Sequence, residues 1–335
     1  MIWSNGFSAR YEISIVDPAS WRDISFLDMT GGSIDKTTDN LMESADIDMR
    51  KIPGDGEVWI RIWLDARQEG SEPMHVPLFT GLTTAPERSI NGSRESYSVE
   101  CFSVLKPASD ILMQRGWYAP EGIDGAALAF SLLKSGPAPV AYEENSPLLS
   151  QSIIAEDNET NLSMAEKIIS AIGWRIRVSG DGRIGIMTKA SEASAVFDAT
   201  RNDSLQMQVT DTSDWYSCPN IFRAVMDDSI AVARDEDPES RFSVSARGRE
   251  IWMEETDCDL NSGETLAGYA KRRLKEEQSP GRKISYDRRF DPSVTAGDIV
   301  RIHYPDNMID GLFRISTQSI SLGFGAKVTE EVTAV

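Results

Sequence analysis

The side chains that could carry acid–base or covalent chemistry are few in this sequence. It has only two histidines, His75 and His303, although histidine is the usual proton carrier near neutral pH. A Cys–His couple of the kind that a cell-wall peptidase uses would therefore have few possible members. We interpret both histidines as ordinary surface or core residues.

The cysteines indicate neither a metal site nor a disulfide framework. The sequence contains Cys101, Cys218 and Cys258, and no two of them have the Cys-x-x-Cys spacing that binds zinc. Three scattered cysteines are also too few for the framework of a small secreted protein. The sequence predicts reduced thiols, with at least one of them buried in a strand.

Two short stretches come close to known binding loops without matching them. Residues 31–37 (GGSIDKT) end like a phosphate-binding P-loop, but Asp35 stands where the phosphate-cradling glycine belongs. We interpret this stretch as a polar β-turn. The run Asp235, Glu236 and Asp237 lacks the spaced ligands and the glycine of an EF-hand calcium loop, and we interpret it as a solvated loop. No cofactor and no metal is predicted.

The 53 acidic residues make carboxylate pairs an uninformative signal, because so many acids offer many pairs. Glycoside hydrolysis needs two carboxylates at a set separation in space, which a sequence does not give. The glutamate pairs at residues 143–144 and 254–255 are neighbours in sequence, which is typical of solvated faces. No catalytic residue is predicted, and we do not expect the chain to be an enzyme.

Tryptophans and one basic helix could form ligand surfaces, but their spacing favours packing. In the helix predicted over residues 263–277, Glu276 and Glu277 fall four residues after Arg272 and Arg273 and can pair with them on an ordinary exposed face. The eight tryptophans are scattered through strand-like segments, so packing in cores and interfaces is favoured over sugar stacking. They are Trp3, Trp21, Trp59, Trp63, Trp117, Trp174, Trp215 and Trp252.

The net charge restricts the possible partners. The chain carries 34 basic and 53 acidic residues, for a formal charge of −19, which opposes binding to phosphates by counterion release. The charge fits either a soluble surface or a surface that DNA passes without adhering. The N-terminus has no basic segment followed by an apolar run, and no window approaches the roughly 18 apolar residues of a membrane span. Neither export by a signal peptide nor membrane insertion is expected.

Alternation at period two dominates the first hundred residues and predicts strands. Tyr11, Ile13 and Ile15 share one face of such a strand. Val58, Ile60, Ile62 and Leu64 share one face of another, opposite Trp59, Arg61 and Trp63. Turn signals at Gly31-Gly32, at residues 53–56 and at Asn91-Gly92 fall between the apolar runs, as hairpins require. Residues 1–107 are therefore predicted to form an antiparallel barrel or sandwich.

Helical signals appear after residue 109. Residues 122–134 look helical and are stopped by Gly136 and Pro137. A clearer helix begins at an Asn161 cap and ends at Gly173, with an apolar stripe of Leu162, Ala165, Ile168, Ile169 and Ile172. A hairpin follows at once, in which residues 174–178 and 183–187 are joined by a glycine-containing turn at 179–182.

Strand patterns return after residue 201, at residues 220–225 and 298–304. Between them lies a predicted insertion with a short strand near Trp252 and a helix over about 263–277 that Pro280 stops. A weak internal echo also occurs. Two parts of the chain share a similar sequence pattern: residues 56–62 with 78–81, and residues 297–302 with 312–315. The similarity reflects either a duplicated β-domain or chance among strands.

The order of these segments resembles that of phage tail hub proteins, the family that includes the baseplate hub of contractile-tailed phages and related prophage tails. The resemblance spans nearly the whole chain, and its most characteristic stretches are residues 160–178, 214–225, 263–286 and 291–302. None of these stretches is a catalytic fingerprint.

The resemblance implies a mainly β fold with α+β insertions, in which two similar antiparallel β-barrels of tail-tube type are joined by a middle domain. The first barrel would be residues 1–107 and the middle α+β domain residues 108–200. The second barrel would be residues 201–227 with 283–335, interrupted by a small insertion domain at 228–282.

The resemblance also implies a function. Such hubs form a trimeric ring that links the tail tube to the tip and lets DNA pass through its lumen. The implied partners are two further copies of the chain, the tail tube or distal tail protein, a tip spike, fibre or lytic protein, and the tape-measure protein. The implied location is the tail tip of a virion that is assembled in the host cytoplasm.

Two other functions remain open at this stage. One is a carbohydrate-binding tail or adhesin module that uses exposed tryptophans. The other is a tail-associated cell-wall hydrolase. Because the sequence ends at Val335, directly after the predicted second barrel, we expect any lytic activity to belong to a partner.

Overall fold

The computed structural model describes residues 1, 3, 6–52, 54, 56–92, 94–198, 205–213, 215–226, 229–256, 258, 264–278, 282–323 and 327–335. The strands are β1 (Ser8–Asp17), β2 (Arg22–Thr37), β3 (Glu43–Met49), β4 (Trp59–Arg67), β5 (Met74–Thr83), β6 (Glu87–Asn91), β7 (Arg94–Ser103), β8 (Tyr118–Ala119), β9 (Val140–Tyr142), β10 (Ile153–Ile154), β11 (Trp174–Val178), β12 (Ile184–Thr188), β13 (Ala193–Asp198), β14 (Leu205–Ser213), β15 (Ile221–Met226), β16 (Ser229–Arg234), β17 (Trp252–Thr256), β18 (Arg282–Arg289), β19 (Ile299–Tyr304), β20 (Ile309–Ser321) and β21 (Lys327–Ala334). The helices are α1 (Lys106–Asp110), α2 (Gly125–Leu133), α3 (Asn161–Ala171), α4 (Val244–Arg247) and α5 (Leu266–Glu277), with a 3-10 turn at Pro305–Asn307. The predicted mainly β class is confirmed.

Six strands near the N-terminus pair around a closed ring, which we call the first ring. Strand β1 pairs with β4, β4 with β5, β5 with β7, β7 with β3 and β3 with β2, and the first half of β2 pairs back with β1. The alternation of the strands turns one set of apolar side chains inward, and full burial of each contributes about 1.5–3 kcal/mol. This core includes Ile13, Ile34, Ala45, Ile47, Ile60, Ile62, Leu64, Phe79, Val99 and Cys101.

Gly31 and Gly32 do not form the predicted turn, because both lie inside β2. The pairing of β2 with β3 shifts register between Met29 and Gly31, which is the mark of a β-bulge. Gly32 has φ +148°, and a Cβ atom there would lie 2.3 Å from the backbone oxygen of Asp46. The glycine pair therefore bends a long strand instead of reversing the chain, and the β-turn interpretation of residues 31–37 was wrong.

The other two predicted hairpin turns differ in outcome. Asn91 and Gly92 join β6 to β7, which pair with each other, and Gly92 has φ +63° as such a turn requires. Residues 53–56 join β3 to β4, which pair with other strands, so the hairpin prediction was wrong there. Pro53 and Asp55 themselves lie outside the described residues.

Arg61 lies on the face of β4 opposite its apolar set, and it is also buried. Its Nη1 donates to both carboxylate oxygens of Asp23 at 3.0 Å, and its Nε donates to Thr80 Oγ1 at 3.0 Å. Its Nη2 donates to the backbone oxygen of Asp181, and the Thr80 hydroxyl donates to that of Gly180 at 2.8 Å. The turn between β11 and β12 therefore rests on the outer face of the first ring.

The middle of the chain packs two helices against a small sheet. Strands β11 and β12 form the predicted hairpin, and β9 pairs in parallel with β12. Helices α2 and α3 pack together, and their apolar stripes meet the sheet. The shared core includes Ala126, Ala129, Leu133, Leu162, Ala165, Ile168, Ile169, Trp174, Ile176, Ile184 and Ile186.

The caps of these helices lie one to three residues from their predicted positions. The Thr160 hydroxyl accepts from the backbone N–H of Ser163, and the Ser163 side chain accepts from the backbone N–H of Thr160. This capping box makes Thr160 the cap of α3, so the predicted Asn161 cap was wrong. Asn161 instead donates to Ser135 Oγ at 3.1 Å. Helix α2 begins after an Asp124 cap, not at residue 122.

The C-terminal strands extend the same large sheet as the N-terminal strands. Strand β20 pairs with the second half of β2 on one side and with β21 on the other, and β18 and β14 follow in order. Strand β19 pairs with β20 and, in parallel, with β13. The two-barrel layout and the domain boundaries inferred from the resemblance stay predictions.

An ion pair is fully buried in this C-terminal part. Arg288 donates to the two carboxylate oxygens of Glu330 at 2.8 and 2.6 Å. The Tyr286 hydroxyl and the Gln318 amide donate to the same carboxylate at 2.8 and 2.7 Å. Burial, and to a smaller extent the negative charge of Glu330, raises the pKa of Tyr286 well above its usual value. Both oxygens of Glu330 therefore have hydrogen-bond donors in place of water.

The chain divides into two compact units. The first holds Met1–Val209, Ser285–Thr333 and Val335, and the second holds Thr210–Ile284 and Ala334. In the second unit β15 pairs antiparallel with β16 and in parallel with β17, and α5 packs on one face of this sheet. Its core includes Phe222, Ala224, Ala233, Cys258, Tyr269, Ala270 and Leu274. None of the described helices is long and apolar enough to cross a membrane.

The helix of the second unit has the exposed charged face that was predicted. Arg272 pairs with Glu276 at 3.1 Å and Arg273 with Glu277 at 3.0 Å. Helix α5 begins after a Thr265 cap. The predicted start at residue 263 and the stop at Pro280 lie outside the described residues.

Candidate functional site

Each histidine lies opposite an aspartate in an antiparallel strand pair. His75 on β5 faces Asp65 on β4, with Nδ1 2.5 Å from Oδ1, and its ring stacks on Trp63 at 4.1 Å between centroids. His303 on β19 faces Asp310 on β20, with Nδ1 3.3 Å from Oδ2. These are cross-strand pairs on a sheet surface.

All three cysteines are buried thiols. Cys101 lies in β7, in the core of the first ring, which confirms the prediction of a thiol buried in a strand. Burial raises the pKa of the Cys101 thiol far above its usual value. The Cys258 thiol donates to the backbone oxygens of Val225 and Glu255. A thiol held in its protonated form is a weak nucleophile, so Cys101 in particular is not suited to covalent catalysis.

The acidic run at residues 235–237 is solvated at two of its three positions, since Glu236 and Asp237 are exposed as predicted and only Asp235 is not. Asp235 is buried, and its carboxylate accepts hydrogen bonds from the Asp237 backbone, the Ser240 hydroxyl and the Gln278 amide. This carboxylate organises the loop after β16. Among the residues that the structure describes, no group of three or more His, Cys, Asp and Glu side chains is placed to hold a metal ion.

The tryptophans divide between packing and exposure. Trp174 is buried, and Trp21, Trp59 and Trp117 pack against the middle core. In the second unit Trp215 and Trp252 are exposed by 54% and 50%. Packing therefore accounts for the tryptophans of the first unit just named, while Trp215 and Trp252 each expose an aromatic ring.

The first half of β2 carries a row of exposed apolar side chains. Ile24 and Phe26 are exposed by 66% and 56%. Residues 22–28 pair with β1 along one edge, whereas the pairings with β3 and β20 begin only at Met29 and Ser33. Among the described strands, none pairs with the other edge of residues 22–28. A free strand edge beside exposed apolar side chains is suited to association with another chain.

A cleft of about 510 Å³ lies where the turn after β2, helix α3, strand β11 and the loop before β19 meet. Glu43 lines it and is buried, with Lys36 Nζ 3.5 Å from one carboxylate oxygen. The other oxygen, Oε1, is buried and has no hydrogen-bond partner. Burial raises the pKa of Glu43 to about 7, although the charge of Lys36 opposes this.

Two further groups of the cleft are unusual. Glu166 on α3 also lines the cleft. Its burial, and to a smaller extent the charge of Asp39, raises the pKa of Glu166 to about 7. Arg175 donates from Nη1 to Gly297 O at 2.9 Å and to Asp298 Oδ1 at 3.2 Å. Its Nε is buried and has no partner. The sequence did not point to this cleft, because its residues come from segments more than 100 positions apart.

Comparison with solved structures shows which proteins have this fold. A tail protein from Neisseria meningitidis MC58 matches with a TM-score of 0.69 and 16% identity, covering 96% of each chain. The 43 kDa tail protein of prophage MuSo2 from Shewanella oneidensis matches with a TM-score of 0.67 and 16% identity, covering 97% of this chain and 96% of that one.

A more distant match is the E. coli c3393 protein, a component of the type VI secretion system with structural similarity to the T4 bacteriophage tail proteins gp27 and gp5. Its TM-score is 0.50 at 10% identity, covering 92% of this chain and 74% of that one. No protein-family model matches the sequence, and no curated protein matches it significantly. The chain therefore has the fold of phage tail proteins, and the resemblance inferred from its sequence is confirmed at the level of the fold.

Proposed function

We propose that this chain is a structural subunit of a phage tail and that it acts as the hub at the tail tip. The observation that carries the proposal is the match of the whole fold, over 96% of both chains, to a phage tail protein. Among the groups with catalytic potential, both histidines pair with aspartates on sheet surfaces and Cys101 is buried. These placements support a structural role.

The hub would be a ring of three copies around a lumen through which DNA passes. Two features support this arrangement. The first ring is closed by its own strand pairings, and both parts of the sequence echo lie in antiparallel pairs, β4 with β5 and β19 with β20. A net charge of −19 would keep DNA from adhering to the lumen.

The contact between copies would use the first half of β2. Its free edge and the exposed side chains of Ile24 and Phe26 provide backbone hydrogen-bonding groups together with apolar area. The other partners would be the tail tube or distal tail protein on one side, and a spike, fibre or lytic protein on the other, near the end of the tape-measure protein. The subunit would assemble in the host cytoplasm and end at the virion tail tip.

A carbohydrate-binding module is the second candidate function. It is favoured by the exposure of Trp215 and Trp252 in the second unit, where Arg223 lies 6.0 Å from the centroid of the Trp252 ring. Sugars stack on such exposed aromatic rings. Quenching of tryptophan fluorescence by host glycans, and its loss in the Trp252→Ala variant, would favour this candidate.

The experiment that tests the hub is the solution mass of the purified chain by light scattering, with negative-stain images of the same peak. A subunit of 37.1 kDa predicts about 111 kDa for three copies and a ring with a central hole. A stable monomer that also fails to bind purified tail tubes would contradict the proposal.

A further inference from the structure

An exposed group of arginines and aromatic rings lies in the second compact unit, in the segments before β15 and before β17. The Arg249 guanidinium lies over the Tyr216 ring, 4.2 Å from its centroid. The Trp215 ring meets the Tyr216 ring edge-on, at 6.2 Å between centroids. We call this group the arginine–aromatic cluster, and its members are Trp215, Tyr216, Arg241, Phe242, Arg247 and Arg249.

A shared backbone acceptor holds two of the arginines together. Arg247 Nη1 donates to Cys218 O at 2.5 Å. Its Nη2 donates to Trp215 O at 2.7 Å and to Tyr216 O at 2.8 Å. Arg249 Nη2 donates to the same Tyr216 oxygen at 3.1 Å. Two positive charges therefore lie against one carbonyl oxygen, where they repel each other.

No described carboxylate balances these charges. Within the part of the chain that the structure describes, no carboxylate oxygen lies within 4.0 Å of a guanidinium nitrogen of Arg241, Arg247 or Arg249. Glu239 is exposed two positions before Arg241, and it also lies beyond that distance. The chain has 53 acidic residues against 34 basic ones, so the cluster lacks a counter-charge although acids are in excess. An anion from outside the chain would supply one.

The other acidic residues near the cluster in sequence have partners of their own. Glu236 and Glu250 both pair with Arg234, at 3.6 and 2.6 Å. Asp235 and Asp237 each accept a backbone hydrogen bond within their own loop. Exposed charges more than about 8 Å apart are largely screened at about 0.15 M salt. The cluster can therefore attract an anion although the whole chain is acidic.

The neighbouring rings narrow the kind of anion. The planar fork of an arginine matches a carboxylate or a phosphate, and the exposed rings of Trp215 and Tyr216 suit stacking against a sugar. A sugar with an acidic group offers both features in one molecule. An acidic peptide fits less well, because residues 215–220 and 235–250 belong to no strand and offer no edge for pairing with a peptide backbone.

From this arrangement we infer that the cluster binds a glycan that carries a carboxylate or phosphate group. The acidic group would accept hydrogen bonds from Arg249, Arg241 would add attraction, and the sugar ring would stack on Trp215. Arg247 is a positioning residue, because its guanidinium is held by backbone oxygens. The inference rests on the carbohydrate-binding candidate, which it narrows to acidic glycans and to Trp215, and it does not depend on the hub.

The test is isothermal titration calorimetry of the full chain with sugars of defined charge. Trigalacturonate carries carboxylates, and its methyl ester is the same sugar without charge. We expect trigalacturonate to bind saturably and the ester to bind at least about tenfold more weakly, because the ester cannot form charge-assisted hydrogen bonds with the arginines. Maltose 1-phosphate against maltose is the phosphate arm, and the tighter of the two acidic sugars identifies the acidic group.

Substitution of the arginines locates the site. Arg241→Gln and Arg249→Gln should each weaken binding of the acidic sugar about fivefold, which is the effect of one exposed ion pair. Arg223→Gln is the matched control, because Arg223 also lies over an exposed ring, that of Trp252 at 6.0 Å, but pairs with Glu254. This control should bind as the wild type does. Arg241 makes no hydrogen bond with a described residue, so its replacement should not disturb the fold.

Substitution of the tryptophans tests the contact with the sugar ring. Trp215→Ala should weaken the acidic sugar about fivefold, as expected when one stacked ring is removed. Trp252→Ala is the control, since Trp252 is exposed by 50% against 54% for Trp215, and it should leave the affinity unchanged.

Five results would overturn the inference. Neutral sugars could bind as tightly as acidic ones, or both arginine variants could keep the wild-type affinity. Inorganic phosphate could bind as tightly as maltose 1-phosphate, which would leave an anion site without a sugar. The peptide acetyl-Glu-Glu-Glu-amide could bind as tightly as the acidic sugars, which would assign the cluster to acidic peptides. Finally, no sugar could bind up to about 10 mM, a limit that corresponds to very weak binding.

These results separate the inference from the proposed functions. Equal binding of neutral and acidic sugars removes the inference and leaves the carbohydrate-binding candidate in place, whereas the absence of any sugar binding removes both. None of the readouts depends on the mass of the assembly, so the hub can fail or stand independently.

Discussion

The buried pair of Arg288 and Glu330 should contribute strongly to stability. Glu330→Ala removes the carboxylate that balances the charge of Arg288 and that accepts hydrogen bonds from Tyr286 and Gln318 in a buried site. Removal of one partner from such a pair costs about 3–5 kcal/mol. The free energy of unfolding, measured by urea denaturation, should fall by this amount.

The matched control is Glu95→Ala. Glu95 pairs with Arg88 at 2.6 Å, the same separation as between Arg288 Nη2 and Glu330 Oε1, but both partners are exposed. Water and salt screen an exposed pair, so this variant should unfold at nearly the wild-type urea concentration. Equal destabilisation by the two variants would show that burial is not what makes Glu330 important.

Glu43 should make stability depend on pH. Its pKa is raised to about 7 in the folded chain from an ordinary value of 4.5, so the folded state binds more protons than the unfolded state between these values. The contribution of Glu43 to the free energy of unfolding is fully present below about pH 4.5. It falls by an amount on the order of 3 kcal/mol as the pH rises to about 7.

Glu43→Gln tests this dependence because it removes the titrating group at nearly the same volume. The wild-type chain should lose stability relative to the variant between pH 4.5 and 7, and the difference should be constant above that range. Urea unfolding of both proteins at a series of pH values gives the comparison. If the free energies of unfolding of the two proteins changed in parallel with pH, Glu43 would titrate normally in the folded chain.

These residues show what a sequence can reveal about single side chains. The period-two pattern correctly predicted that Ile60, Ile62 and Leu64 share one face of the strand, and all three are buried. It did not predict the burial of Arg61, because that burial depends on Asp181, which is 120 positions away. Pairing between distant charges has no local signal, so neither the Arg288–Glu330 pair nor the cleft could be predicted.

At the scale of elements, the bulge in β2 depends on Gly32. Gly32→Ala should destabilise the chain by about 2–4 kcal/mol, because its Cβ would lie 2.3 Å from the Asp46 backbone oxygen and because its φ of +148° disfavours side chains. Gly31→Ala is the control, since its Cβ would only touch the Asp48 side chain at 3.7 Å. Thermal unfolding compares the two, and similar melting temperatures would refute the bulge.

Local patterns predicted elements well where the stabilising contacts are also local. The hairpin of β11 and β12 and the apolar stripe of α3 agree with the sequence, because turn residues and helical spacing decide them. The predicted Asn161 cap was off by one position, since Thr160 and Asn161 are both good caps. The glycines in β2 were misassigned because the same residues suit a turn and a bulge.

At the scale of the whole molecule, the two compact units should unfold in separate steps. Phe222→Ala removes a fully buried ring from the second unit, and Phe79→Ala does the same in the first. Each loss costs about 3–5 kcal/mol. In calorimetry, each variant should shift one transition and leave the other in place. A single transition that both variants shift equally would contradict two independent units.

Assembly should depend on the first half of β2. Ile24→Glu should prevent formation of the trimer, because it places a charge in the proposed contact between copies. Ile154→Glu is the matched control, since Ile154 is exposed by 67% against 66% for Ile24 and lies on β10. Light scattering should give a monomer for the first variant and the wild-type mass for the second. A trimer in both variants would show that the contact between copies lies on another surface.

The order of elements along the chain predicted the fold class better than any single motif did. That order is a property of the whole chain, and it is shared with tail proteins at only 16% identity. The pairing of β2 with β20 was not predicted, because residues separated by about 280 positions leave no common local pattern.

The pairing of β2 with β20 also has a consequence for biosynthesis. Residues 33–37 are made early, but their partners at 317–321 are made about 280 residues later. At about 5–20 residues per second, this edge of β2 stays unpaired for roughly 15–60 s. Neighbouring nascent chains on one messenger RNA expose the same edge at the same time. Chains that terminate before β20 should therefore aggregate during translation, whereas completed chains should not.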